Sequence, residues 1–183
     1  DVLRELLGAK ADVDKAREED GATPLYQAAC FAPCDVVSCL LSAKAPVDCL
    51  RHKQGWTPLC GASYYGHEDK VSLLCSKGAN VNHATSSSNR FAEKGSSPLI
   101  IAAQEGHPKT VRLLSSLKAD VNAPRCDYAT ALYVAVSKGH VEVVKTLLEL
   151  KACATGDMRH IETPLECAKT SGKEVIVSLL CNS

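Results

Sequence analysis

The sequence predicts an all-α solenoid assembled from short antiparallel helix pairs. Three observations predict it: a cap triplet that returns at near-constant spacing, a turn nine residues after each triplet begins, and a second apolar run closed by a small-residue stop. The triplets are Thr23-Pro24-Leu25, Thr57-Pro58-Leu59, Ser97-Pro98-Leu99, Thr130-Ala131-Leu132 and Thr163-Pro164-Leu165. Their intervals are 34, 40, 33 and 33 residues. The turns are Ala32-Pro33, Gly66-His67, Gly106-His107, Gly139-His140 and Gly172-Lys173.

Each part of the unit has a physical cause. Thr or Ser caps the first helix with its hydroxyl, and Pro follows at a position whose N–H would have no helical partner. The run from Leu99 to Ala103 is rich in small residues and keeps the first helix thin enough for its neighbours to stack. Glycine at the turn ends one helix and lets the chain reverse. The second helix carries apolar residues at helical spacing, such as Val111, Leu113 and Leu114, which give it one buried face. Segments such as Gly78-Ala79-Asn80-Val81-Asn82 are turn chemistry and lead into an extended hairpin toward the next unit. A single helix pair cannot bury its apolar face, so the pairs must stack.

Five such units in register resemble the ankyrin repeat family, and the resemblance covers nearly the whole chain. It implies one domain over 1–183, with a partial repeat at 1–19 and repeats at 20–52, 53–93, 94–126, 127–159 and 160–183. Leu3, Leu6 and Leu7 followed by Ala11-Asp12-Val13-Asp14 read as the second helix and hairpin of the partial repeat. The pattern opens inside a helix at Asp1, as expected of a piece of something longer.

The sequence departs from the repeat in three respects. The 40-residue interval holds about seven extra residues after Asn82, a polar, Ser-rich insertion at about 84–95 that belongs in a hairpin loop. It reads as a tolerated surface loop, or as a binding or phosphorylation loop with Phe91 as its apolar anchor. Lys44, Lys118 and Lys151 stand where the resemblance favours the Gly of position 78, which predicts strained or differently capped hairpins. Pro33 replaces the turn histidine and opens a second helix without interrupting it.

Composition excludes several classes of function. Lys plus Arg and Asp plus Glu both total 21, so a long-range field for nucleic acid or an anionic membrane is lacking. No apolar run is long enough for membrane insertion. The 10 cysteines form no Cys-x-x-Cys pair and fall mostly at helical core positions, which fits a reducing intracellular compartment, whether cytoplasm, nucleus or organelle. Cys30, Cys34 and Cys39 bridge a turn without a nearby histidine and do not read as a metal site. No catalytic, cofactor or metal residues are assigned: phosphate-loop, Rossmann, nucleophile-elbow and zincin signatures are all missing. His67, His107 and His140 occupy one repeat position each, and the resemblance implies a structural bond to backbone.

The expected function is therefore protein binding, as a scaffold or adaptor. The resemblance implies a concave contact face made of hairpin tips, the residues flanking each cap triplet and the exposed side of each first helix. Repeat by repeat these are Glu19, Asp20, Ala22, Cys30 and Phe31; Lys53, Gln54, Trp56, Tyr64 and Tyr65; and Glu93, Lys94, Ser96, Gln104 and Glu105. Cys126, Asp127, Ala129, Ser137 and Lys138 follow, then Arg159, His160, Glu162, Thr170 and Ser171. Phe31, Trp56, Tyr64 and Tyr65 concentrate aromatic surface in two adjacent repeats, the composition of a binding hot spot. Trp56 also reads as hairpin packing, and Tyr26 and Tyr133 as covers for the helix terminus. Asn122, with Leu114 eight residues and Asp120 two residues before it, is a candidate modification site resembling the asparagine-hydroxylation context of ankyrin repeats. The same residues are also simple consensus. Two alternatives stand beside the adaptor: a structural or linker subunit of a larger assembly, and a regulatory module of a multidomain protein. For the former, Val175, Ile176, Val177, Leu179 and Leu180 are expected to lie open and to pack on further chain or subunits.

Overall fold

The computed structural model describes residues 12–51, 55–86, 94–153 and 162–182. Among them lie ten α-helices: α1 Pro24–Phe31, α2 Cys34–Ser42, α3 Pro58–Tyr64, α4 Glu68–Ser76, α5 Pro98–Gln104, α6 Pro108–Ser116, α7 Ala131–Lys138, α8 Val141–Glu149, α9 Pro164–Thr170 and α10 Glu174–Cys181. Each odd-numbered helix pairs with the even-numbered helix that follows it. The odd helices stack in one row and the even helices in a second, so the fold is two helical layers thick. The core runs continuously between the rows, with Leu59, Leu74, Leu99, Leu114, Leu132 and Leu147 fully buried along it.

The cap triplets act as their chemistry requires. The hydroxyls of Thr23, Thr57, Ser97, Thr130 and Thr163 each accept a backbone N–H three residues on, at 3.2–3.3 Å. Thr163 closes a full capping box, because Glu166 Oε2 accepts the Thr163 N–H at 2.8 Å.

The turn residues tie each pair to the one before. His67 Nε2 donates to Cys30 O at 3.0 Å, His107 to Tyr64 O at 2.9 Å and His140 to Gln104 O at 2.8 Å. Because a carbonyl can only accept, Nε2 carries the proton in each ring. The fifth unit has no histidine there, and Lys173 Nζ reaches the equivalent Ser137 carbonyl at 2.9 Å. These rings also explain why the preceding turn is glycine. A Cβ on Gly66, at φ +68°, would lie 2.8 Å from His107 Nδ1, and one on Gly106 would lie 2.9 Å from His140 Nδ1. Gly172 is left-handed too, yet has nothing within 4 Å. Gly172→Ala is thus expected to cost backbone strain alone, about 1–2 kcal/mol, whereas Gly66→Ala and Gly106→Ala add a clash and cost more. Urea denaturation of the three variants checks that order.

The first turn breaks the rule and is repaired from elsewhere. Elsewhere the Gly and His N–H groups close the helix, as Gly66 does on Ser63 O and His67 on Ala62 O. Pro33 has no N–H to give. Lys70 of α4, only 4% exposed, supplies the missing donor and binds Ala29 O at 3.1 Å and Ala28 O at 3.4 Å. Lys70→Met should cost about 1–3 kcal/mol, the penalty for a stranded carbonyl. Adding Ala32→Gly and Pro33→His, which restores the usual donors, should recover part of it in a thermal melt.

Lys44, Lys118 and Lys151 do not find a different cap. They adopt the left-handed conformation outright, at φ 65°, 72° and 59°. Each occupies the position that Gly78 occupies, with paired bonds such as Lys118 N to Ser115 O at 3.0 Å and Ala119 N to Leu114 O at 2.9 Å. Lys118→Gly should therefore raise stability by about 0.5–1 kcal/mol, the strain relieved less the added freedom of the unfolded chain. A higher urea midpoint at unchanged slope would show it.

The insertion opens from the hairpin between α4 and α5, where Gly95 N donates to Thr85 O at 2.8 Å and Thr85 N to Ser96 O at 3.1 Å. Phe91 lies outside the described residues, as do Leu3, Leu6 and Leu7. The last helix is less open than its sequence implies. Ile176 and Leu180 are buried and Val177 and Leu179 half-buried, so Val175, 59% exposed, is the fully open one of the five. The reason is the stack itself: α10 packs on both α9 and α8.

Candidate functional site

The concentration of aromatic residues in the first two complete units begins with a hole. Gly61, in the middle of α3, has no side chain where Ile101 and Val134 stand in α5 and α7. A Cβ there would meet Cys30 Sγ at 2.6 Å and the Tyr26 ring at 3.4 Å, so both side chains of α1 lean into the space. They form a satellite core with Ala22, Trp56, Cys60 and Ile101, against which Tyr64 packs. Burial pushes the Cys30 thiol up to about 11, which keeps it neutral. Burial also raises the Tyr26 phenol, so no anion forms there near neutral pH.

Above this floor the rings form a connected set. Trp56 and Tyr64 have centroids 5.8 Å apart, Tyr64 and Tyr65 5.0 Å, and Tyr65 and Phe31 5.2 Å in an edge-to-face arrangement. The imidazole of His67 stacks under Tyr65 at 5.9 Å and steadies it. Phe31 is 66% exposed and Tyr65 41%, so this edge of the set faces solvent.

The opposite wall is ionic. Arg17 takes the Asp20 carboxylate as a fork, Nε to Oδ1 at 2.9 Å and a terminal nitrogen to Oδ2 at 2.6 Å. Arg51, from the next hairpin, reaches the same Oδ2 at 2.9 Å and lies over the Tyr26 ring, 5.5 Å from its centroid. Asp20 Oδ1 also accepts the Ala22 N–H at 3.2 Å. The Arg17 hydrogen bonds, with that backbone bond and the charge of Arg51, hold the Asp20 carboxyl well below the usual carboxylate range. The aromatic and ionic walls enclose a cleft of about 370 Å³.

The other expected contact residues are scattered. Trp56, at 3% exposure, is the floor of the cleft and not part of its surface, and Cys30, Ala22, Ser96 and Ala129 are buried as well. Before four of the cap triplets the residue is drawn inward because its backbone pairs with the hairpin, as Trp56 does with Arg51, whereas Glu162 before the fifth is exposed. Gln104 and Glu105 are half-buried and bonded to each other at 2.8 Å, one unit beyond the cleft. Lys138 is exposed at the end of α7, two units away. Lys53 and Gln54 lie outside the described residues, as do Glu93, Arg159 and His160. Asn122 is exposed, and its Oδ1 accepts the Cys153 N–H of the next hairpin at 2.8 Å, just as Asn82 accepts that of Asp120 at 2.9 Å. Tyr133 is half-buried in α7.

Arg17, Gln27 and Arg51 line the cleft although the repeat pattern did not select them. The recurring hairpin arginine, with Arg125 bonded to Asp127 at 2.6 Å in the fourth unit, was the available signal. Tyr128 was likewise unmarked. It sits at a hairpin tip with φ 65°, where the other tips carry Gly21, Gly55 and Gly95.

A family model described as ankyrin repeats matches the chain three times, over residues 1–85, 46–125 and 99–183. The chain belongs to the ankyrin repeat family. Among curated proteins, no relative matches it. Ankyrin repeats mediate protein–protein interaction and are typically not enzymes. Among the described residues no group of histidine, cysteine and acidic side chains is placed to hold a metal. No helix there is long and apolar enough to cross a membrane. The helix pairs are thus ankyrin units, and the cleft lies on the first-helix and hairpin side, the side with which the family resemblance associates binding.

Proposed function

We propose that this ankyrin domain is an interaction adaptor that takes a partner protein on its concave face and anchors it in the cleft of the first two complete units. The observation that carries the reading is the pairing of Phe31 and Tyr65. Both are substantially exposed, in edge-to-face contact at 5.2 Å, and backed by a rigid aromatic floor. Large rings held in place before binding lose little conformational freedom when a partner arrives. Exposed aromatics beside arginine are also the composition of interface hot spots. The polar third unit and exposed Lys138 then serve as rim.

Affinity purification of the wild-type chain beside Phe31→Ala/Tyr65→Ala tests the reading, with partners identified by mass spectrometry and folding followed by circular dichroism. Loss of one specific partner by a still-folded variant is the expected result. Unchanged recovery of a stoichiometric set of subunits would contradict it, and would favour a structural subunit held through other surfaces.

A further inference from the structure

Resting on that reading, we infer that the cleft is built for an acidic segment of the partner: an extended peptide that lays a large apolar side chain on Phe31 and Tyr65 and directs an Asp or Glu carboxylate to Arg51. The charged residues lining the cleft are Arg17, Arg51 and Asp20, so two guanidiniums share one carboxylate and one positive charge is left over within the lining, while Glu19 outside it acts on Arg17. Arg17 is satisfied by its two-bonded fork, while Arg51 gives Asp20 a single N–H. Arg51 is also the better held of the two, with its side chain 21% exposed against 53% for Arg17. The Tyr26 ring beneath it and the Trp56 backbone beside it fix its position. A fixed, partly desolvated guanidinium beside an apolar wall favours a carboxylate over a neutral group. The same excess charge disfavours a lysine or arginine of the partner, despite the aromatic rings that would otherwise attract it.

Asp20 has a distinct role in this arrangement. It holds the place of the incoming carboxylate and, by bridging the two arginines, offsets their mutual repulsion until that carboxylate arrives. Removing its charge should therefore strengthen binding, the reverse of what simple damage to a hairpin would do. Asp20→Asn keeps the Oδ1 acceptor for the Ala22 N–H, so the hairpin retains its own bond.

The test is a selection of short random peptides displayed against the whole chain, followed by fluorescence anisotropy of a selected peptide and its Glu→Gln or Asp→Asn counterpart. The selected set is expected to carry an acidic residue close to a large apolar one. Arg51→Gln should weaken the acidic peptide about tenfold, a loss of about 1.4 kcal/mol, and Arg51→Lys should restore part of it. Asp20→Asn should tighten it several-fold, and neither change should alter the amide counterpart. Enrichment of basic residues, or Asp20→Asn weakening or leaving unchanged the acidic peptide, would overturn the inference. If selected peptides depend on Phe31 and Tyr65 but ignore charge, the inference falls and the concave cleft stands. If binding survives Phe31→Ala/Tyr65→Ala, the cleft falls as well.

Discussion

Trp56→Ala is expected to lower the unfolding free energy by about 3–5 kcal/mol, the range for removing a large buried aromatic side chain. Trp56 is 3% exposed and sits at the junction of both first units, touching the cluster that contains Tyr26, Cys30 and Ile101. Stability in a solenoid is close to a sum of unit and neighbour terms. The damage should therefore concentrate in α1–α4, and a urea titration should show those units melting ahead of α5–α10. Hydrogen exchange read unit by unit would show the split. A uniform loss across all five pairs would mean that the satellite cluster is not a separate packing unit. A contact variant that included Trp56 would confuse unfolding with loss of binding, so it has no place in an interface test.

Phe31→Ala and Tyr65→Ala are expected to weaken the partner complex by at least about 2 kcal/mol each, roughly thirtyfold, the threshold for hot-spot residues. Stability should move far less, because both rings are substantially exposed, although Tyr65 also touches Tyr64 and His67. Since the rings are in contact at 5.2 Å, the double variant should cost less than the two single losses added. Lys138→Ala, two units away and exposed, should change affinity by under about 0.5 kcal/mol. Calorimetric titration of the purified partner into the four variants reads all of these together.

The ankyrin fold was legible because every unit repeats the same local chemistry. Thr or Ser before Pro-Leu has one economical use, as a helix cap, and the structure uses it so at Thr23, Thr57, Ser97 and Thr163. The family resemblance implied that His67, His107 and His140 tie to backbone, and their bonds are 2.8–3.0 Å long. The aromatic set was visible as well, because Phe31 and Tyr65 occupy the same position in adjacent units.

What was not legible depends on single residues that differ from the repeat. Gly61 opens the space into which Tyr26 and Cys30 lean, and a lone glycine in a helix carries no sign of what will fill it. Trp56 therefore belonged to the floor, although its sequence position admitted both packing and exposure. The bond between Arg51 and Asp20 joins residues 31 apart on different hairpins, and the spacing of the repeat says nothing about it. Lys70 answers a donor deficit created by Pro33 in another unit, a compensation seen only when the turn is assembled. Left-handed Lys118 and Tyr128 follow the backbone of their neighbours against their own preference. In each case the repeat architecture overrides the local residue.

A partner held on the concave face at the first two complete units would shield the hairpins and first helices there. Hydrogen–deuterium exchange of the whole chain, alone and bound to its recovered partner, would reveal that shielding. The predicted result is protection of residues 17–31 and 51–65, with α6, α8 and α10 unchanged. Protection confined to the even-numbered helices or to α9 and α10 would contradict binding at the concave face of the first two complete units.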